Sequence, residues 1–206
     1  MPPSKGHDAA PPPNWPASVI YLSKPRLSPK FPPSLLPFIA SPSFTPQTTK
    51  HPSHVQIKKI AEVSHPAYGQ LGLFARQKVK ENELVIPYLG IIHVTFTPDN
   101  GSDSILDEHS ESDYDLSLLR LSSSDIRNPF PGQHISIGVD AAREGNAGRF
   151  VNDYRGVKPA GPNAEFRVGK GEGGELRMEI WSLRGGIGKG DEVLVSYGKG
   201  WWGARK

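Results

Sequence analysis

The chain has 206 residues, a formal net charge of +3 and no cysteine. That length holds one ordinary domain with an appended segment. The missing thiols exclude disulfides, thiol catalysis and every cysteine-ligated zinc site, and the mild, scattered basic charge gives no stripe that would mark a nucleic-acid surface. No stretch approaches the ~20 apolar residues of a bilayer span, and Met1-Pro-Pro-Ser-Lys-Gly-His7 lacks the apolar core of a secretory signal. An intracellular protein with neither a membrane nor a direct nucleic-acid partner is expected. His51 and His54 flank Pro52 in a polar context, which reads as a loop, and no metal is expected.

Residues 1–52 hold 14 of the 21 prolines. Proline removes backbone donors and blocks helix interiors and central strands, so this segment is expected to be a disordered tether that samples extended states. Two apolar islands, Val19–Leu22 and Leu35–Ile39, could dock on the folded part or on a partner. The folded domain is expected over 53–206.

From Val55 the texture changes. Val55-Gln-Ile-Lys-Lys-Ile60 alternates apolar and polar residues and reads as an edge strand. Gly69-Gln-Leu-Gly-Leu-Phe-Ala75, Leu84–Gly90 and Ile91–Val94 follow as short strands punctuated by glycine and charged turns. Residues 98–115 are acidic and rich in serine, a surface insertion that leads into a strand near Tyr114–Leu118. His134–Asp140, Arg177–Leu183 and Glu192–Ser196 read as further strands. No window sustains helical periodicity, and 17 of the 22 glycines follow residue 131, where short strands must turn tightly. The fold class is mainly β, built of several small sheets.

The chemistry concentrates in Asn146-Ala-Gly-Arg-Phe-Val-Asn-Asp-Tyr154, then Pro162-Asn163, then Gly190-Asp-Glu-Val-Leu-Val-Ser-Tyr197. Polar side chains, glycines and tyrosines meet there without histidine, cysteine or a serine–histidine pair. Such a site lacks the usual metal ligands and nucleophiles, yet it can hold two reactants in an aromatic, hydrogen-bonded slot. These residues resemble the SET-domain family of protein-lysine methyltransferases, whose pattern is roughly G-N-x-x-R-F-I-N-H-S-x-x-P-N followed by G-E-E-L-x-x-D-Y. Here Asp153 stands at the histidine position and Ser196 precedes the tyrosine.

The resemblance implies a SET-type fold with knot-like C-terminal threading, S-adenosylmethionine as cofactor and a protein lysine as substrate. Lysine methylation needs a neutral amine, whereas free lysine has a pKa of about 10.4. Desolvation and a nearby sulfonium both disfavour the ammonium, and holding nitrogen, methyl carbon and sulfur in line supplies much of the acceleration. A tube of tyrosines excludes water and orients the amine without adding a competing nucleophile.

By the resemblance, Tyr197 and Tyr88 flank the reacting amine as the catalytic pair, and Tyr114 touches both cofactor and channel. Gln70, Leu71 and Gly72 belong to the loop that cradles the methionine part of the cofactor, and Arg149, Phe150, Asn152 and Asp153 complete its pocket. Gln70 stands where the family carries glycine, which is unfavourable if that position needs φ > 0. Asp153 introduces a negative charge where histidine is usual. Val195 occupies the place of a bulkier Phe or Tyr and leaves room for multiple methylation. Cysteine-rich flanking modules are absent, so Trp201 is expected to help close the channel and Trp202 to stack on the adenine. The acidic insertion would attract a lysine-rich substrate such as a histone tail, and the resemblance slightly favours the nucleus over the cytoplasm. Two other classes compete. One is a non-catalytic SET-fold interaction module, for which Gln70 and Asp153 speak. The other is a proline-rich adaptor using segments such as Pro13-Asn-Trp-Pro16.

Overall fold

The computed structural model describes residues 10–42, 45–99, 108–109 and 111–198. In chain order the elements are β1 (Ile20–Tyr21), β2 (Arg26–Leu27), α1 (Leu36–Ile39), β3 (Val55–Lys59), β4 (Leu71–Ala75), β5 (Leu84–Tyr88), β6 (Ile91–Pro98), β7 (Asp115–Leu121), β8 (Gln133–Asp140), β9 (Glu144–Gly145), β10 (Asn152–Asp153), β11 (Ala164–Lys170), β12 (Leu176–Ser182) and β13 (Leu194–Val195). They form one four-stranded sheet in the order β2-β6-β8-β7, one three-stranded sheet β11-β12-β5, and three two-stranded pairs. The fold is mainly β in several small sheets, the SET-type architecture. Among the described residues, no helix is long and apolar enough to cross a membrane.

Alternation fixes the largest sheet. In β8, Ile135, Ile137 and Val139 are buried and face Phe96, Val94 and Ile92 across the ladder to β6. A one-residue slip would turn this apolar set outward, so the register is strongly specified. Gly138 lies on the other face, where an added Cβ would sit 2.6 Å from His93 Nε2 and 2.7 Å from Asp115 Oδ1. The glycine therefore leaves space for the His93–Asp115 pair.

The C-terminal strand is held from several directions. β13 pairs in parallel with β10, and Val193 N–H donates to Leu73 O at 2.8 Å. Asn163 clamps the segment: its Nδ2 donates to Glu192 O and its Oδ1 accepts from Leu194 N–H, both at 2.8 Å. Residues 192–195 thus run between the 152–154 stretch, β4 and the Asn163 turn.

The proline-dense leader departs from the expected tether. Leu35 is fully buried, and Phe31 and Ile39 join the same core. β1 pairs with β9 and β2 with β6. Pro33 and Pro37 each occupy the first turn of a short helical segment, the place where a missing N–H costs least. Prolines here shape docking rather than prevent it, so a unit boundary at residue 52 does not hold for the described residues. Most of the acidic insertion (100–107 and 110), together with Trp201 and Trp202, lies outside the described residues.

Candidate active site

Three tyrosines converge on one cleft of about 780 Å3, and Gln70, Leu71, Arg149, Phe150, Asn152 and Asp153 line it with them. That volume falls within the range of ordinary small-molecule sites. Tyr88 ends β5, Tyr114 immediately precedes β7 and Tyr197 follows β13, so three separate sheets each deliver one ring. The Tyr88 hydroxyl donates to Tyr114 O at 2.7 Å, and the Tyr197 hydroxyl to Val151 O at 2.8 Å. Burial pushes the Tyr88 phenol well above its usual 10.0. Burial first, then Tyr114, Asp153 and Glu192, raises that of Tyr197. Both rings stay neutral at physiological pH and act as donors.

The turn before β4 settles the question raised by Gln70. The positive φ of this turn belongs to Gly69, at +82°, and Gln70 is not in that region. Glutamine therefore suffers no backbone penalty, and the glycine one place earlier does the turning. Ile60 N–H donates to Gln70 O at 2.8 Å and Gly69 N–H to Ile60 O at 3.0 Å, which close the loop from both ends. Gly72 has a different purpose. An added Cβ there would lie 2.7 Å from Glu192 Oε1, so only glycine lets that carboxylate approach.

Glu192 and His65 are site residues that motif reading missed. Glu192, buried, accepts from Asn152 Nδ2 at 2.7 Å and pairs with His65 Nε2 at 3.0 Å. His65 Nδ1 accepts from Ala67 N–H at 2.9 Å, so the ring proton belongs on Nε2, directed at the carboxylate. The partners stand 127 residues apart, a pairing that no local pattern announces. The network fixes the Asn152 amide and the turn before Gln70 relative to each other.

Asp153 takes a bracing role. Its Oδ1 accepts from Arg155 N–H, and its Oδ2 from Tyr197 N–H and the Arg155 guanidinium, all at 2.8 Å. The negative charge is offset by Arg155, and the carboxylate holds the Tyr197 backbone where it leaves β13. Val195 is fully buried opposite Asp153 in the β10–β13 pair and is not among the cleft-lining residues.

Arg149 spends its guanidinium on the protein. Nε donates to Ala141 O at 2.8 Å and Nη2 to Ala142 O at 3.3 Å, while the group lies 4.2 Å from the Tyr114 ring centre. This contact orients Tyr114 by cation–π attraction. The same tyrosine is steadied from its N-terminal side. Asp140 accepts from Ser112 Oγ and pairs with His109 Nδ1, both at 2.7 Å, and the His109 ring stacks on His93 at 3.8 Å. Asn146 supports Tyr88 in the same manner, since its Nδ2 donates to Pro87 O at 2.8 Å and its Oδ1 accepts from Leu89 N–H at 3.1 Å.

Comparison with known proteins agrees with this geometry. The SET domain family model matches residues 70–198, more than half of the chain, and the chain belongs to the SET-domain family. No curated protein matches it. Among solved structures, polycomb repressive complex 2 of Chaetomium thermophilum, in an autoinhibited conformation bound to S-adenosylmethionine, is 24% identical with a TM-score of 0.43. Another structure of the Chaetomium thermophilum complex is 22% identical with a TM-score of 0.40. An active polycomb repressive complex 2 in its basal state is 26% identical with a TM-score of 0.44. Each match covers 70% of this chain, which spans only 15% of the length of those chains.

Proposed function

We propose that the protein transfers a methyl group from S-adenosylmethionine to the side-chain amine of a lysine in a protein substrate. The observation that carries this reading is the meeting of Tyr88, Tyr114 and Tyr197 with Asn152 and the Gln70–Leu71 turn in one cleft. When bound, the cofactor supplies an electrophilic methyl group on a positively charged sulfur.

The residues present fit that group. Burial raises the Tyr197 phenol most, with Asp153 and Glu192 adding to it, and the buried Glu192 carboxylate beside Asn152 suits a sulfonium or an α-ammonium. Asn152 commits Nδ2 to Glu192 Oε1 and Leu71 O, which leaves its Oδ1 to accept from an α-ammonium. Gln70 and Leu71 border the cleft beside it. Tyr88, Tyr114 and Tyr197 exclude water from the amine, which lowers the stability of its ammonium form. The Tyr88 and Tyr197 hydroxyls, already turned toward Tyr114 O and Val151 O, position the amine without attacking the methyl group. Tyr88 and Tyr197, both raised by burial, stay neutral near neutral pH, so the amine sheds its proton to solvent before entry or through water at the mouth.

Acidic residues near the mouth, Asp113 and Asp115 among them, favour a basic substrate segment, with a histone tail and a nuclear setting as the leading case. Incubation with labelled S-adenosylmethionine, histones and cell extract tests the activity. The absence of S-adenosylmethionine binding in isothermal titration would instead identify a non-catalytic module that kept the fold.

A further inference from the structure

Pro16, Ser18 and Val19 line the same cleft as Tyr114 and Arg149, although they lie far outside the stretch 70–198 that matches the family. Three attachments hold this part of the leader. Asn14, at φ +67°, donates from Nδ2 to Ile57 O on β3 at 2.8 Å. The Trp15 indole meets the Phe150 ring edge to face at 5.4 Å and the Tyr21 ring at 5.1 Å. Its Nε1 donates to Val19 O at 2.7 Å, which closes residues 15–19 into a compact loop. Beyond that loop, Ile20 N–H donates to Arg143 O at 3.0 Å and Leu22 N–H to Gly145 O at 2.7 Å, locking β1 against β9.

The point of attachment matters. Trp15 bears on Phe150, whose chain neighbour Arg149 covers the Tyr114 ring and is tied to Ala141 and Ala142. Moving the loop therefore moves the group that orients Tyr114. Prolines 11, 12, 13 and 16 narrow the unfolded conformations of this stretch, so ordering it costs less entropy than ordering a flexible tether.

We infer that residues 14–21 form a wall of the cleft, with Trp15 as its positioning residue, and that cofactor binding depends on this wall. The inference rests on reading the cleft as the S-adenosylmethionine site. Titration of S-adenosylmethionine into the full chain tests it with Trp15→Ala, Trp15→Phe and Ser18→Trp. Trp15→Ala raises Kd roughly ten-fold, and Trp15→Phe, which keeps a ring against Phe150, recovers most of the affinity. Ser18 is exposed, so Ser18→Trp leaves the thermal midpoint unchanged while crowding the cleft and weakening binding. That variant keeps the question open to refutation even if Trp15→Ala fails to fold. A purely structural leader would lower the Trp15→Ala midpoint and leave the Ser18→Trp Kd untouched. Equal Kd values in all four proteins overturn the wall alone. No binding by the unaltered chain overturns the cofactor reading, and the wall falls with it.

Discussion

The stretch from Asn146 to Tyr197 and the stretch from Asn14 to Tyr21 both reach the cleft, yet different forces hold them. The first is fastened by polar side chains on specific backbone groups: Asn146 on Pro87 and Leu89, Asn163 on Glu192 and Leu194, Asp153 on Tyr197. The second is fastened mostly by aromatic faces and a two-residue strand. A buried amide with two fixed partners tolerates no substitute, because each lost partner leaves an unsatisfied group. An aromatic contact accepts another ring of similar size. The polar wall should be brittle to mutation and the aromatic wall forgiving.

The sharpest attack on that comparison falls on the leader. Leu35 is fully buried, so Leu35→Ala should destabilise the whole protein by about 3 kcal/mol, read from urea unfolding. A single transition with a shifted midpoint makes the leader part of the cooperative unit, whereas an unchanged midpoint returns it to the status of a tether. Next in size is Tyr197→Phe, expected to lower methyl transfer about a hundred-fold, equivalent to about 2.7 kcal/mol of barrier. Full activity in that variant would remove Tyr197 from its role.

Asn163→Ala should cost about 2 kcal/mol through the two strand groups it abandons, and Asn163→Asp should fail to restore the bond that Nδ2 makes to Glu192 O. The smallest effect is alkaline. Tyr88 and Tyr197 have folded-state values above the usual 10.0, so the folded state keeps their protons longer than the unfolded one. Their contribution to stability is complete below that value and falls as pH rises beyond it. The thermal midpoint should drop above about pH 10, less steeply in Tyr88→Phe.

The same contrast explains what the sequence could reveal. Asn152, Asp153, Asn163 and Tyr197 stood out in the sequence through the resemblance to the SET-domain motifs, and their polar clamps show why such motifs hold fixed residue types. Alternation in 134–140 marked β8. The leader was misread because proline density speaks only of local hydrogen bonding, while its order comes from Leu35, Ile39 and Trp15 packing on residues far along the chain. Glu192 and His65 escaped notice since each is unremarkable until the other arrives. Gln70 looked strained only because the positive φ was assigned one position too late; Gly69 carries it.

The insertion of residues 192–197 between β4, β10 and the Asn163 turn has a consequence for synthesis. Chains emerge N-terminus first, and β4 and β10 must already exist before this segment can be seated. Glu192 and Tyr197 then arrive together, so the carboxylate that fixes Asn152 and the third ring of the cleft are installed in one event. A nascent chain halted just before residue 192 holds most of the strands and lacks the third ring of the cleft. The cleft is thereby completed only once residue 197 has been made.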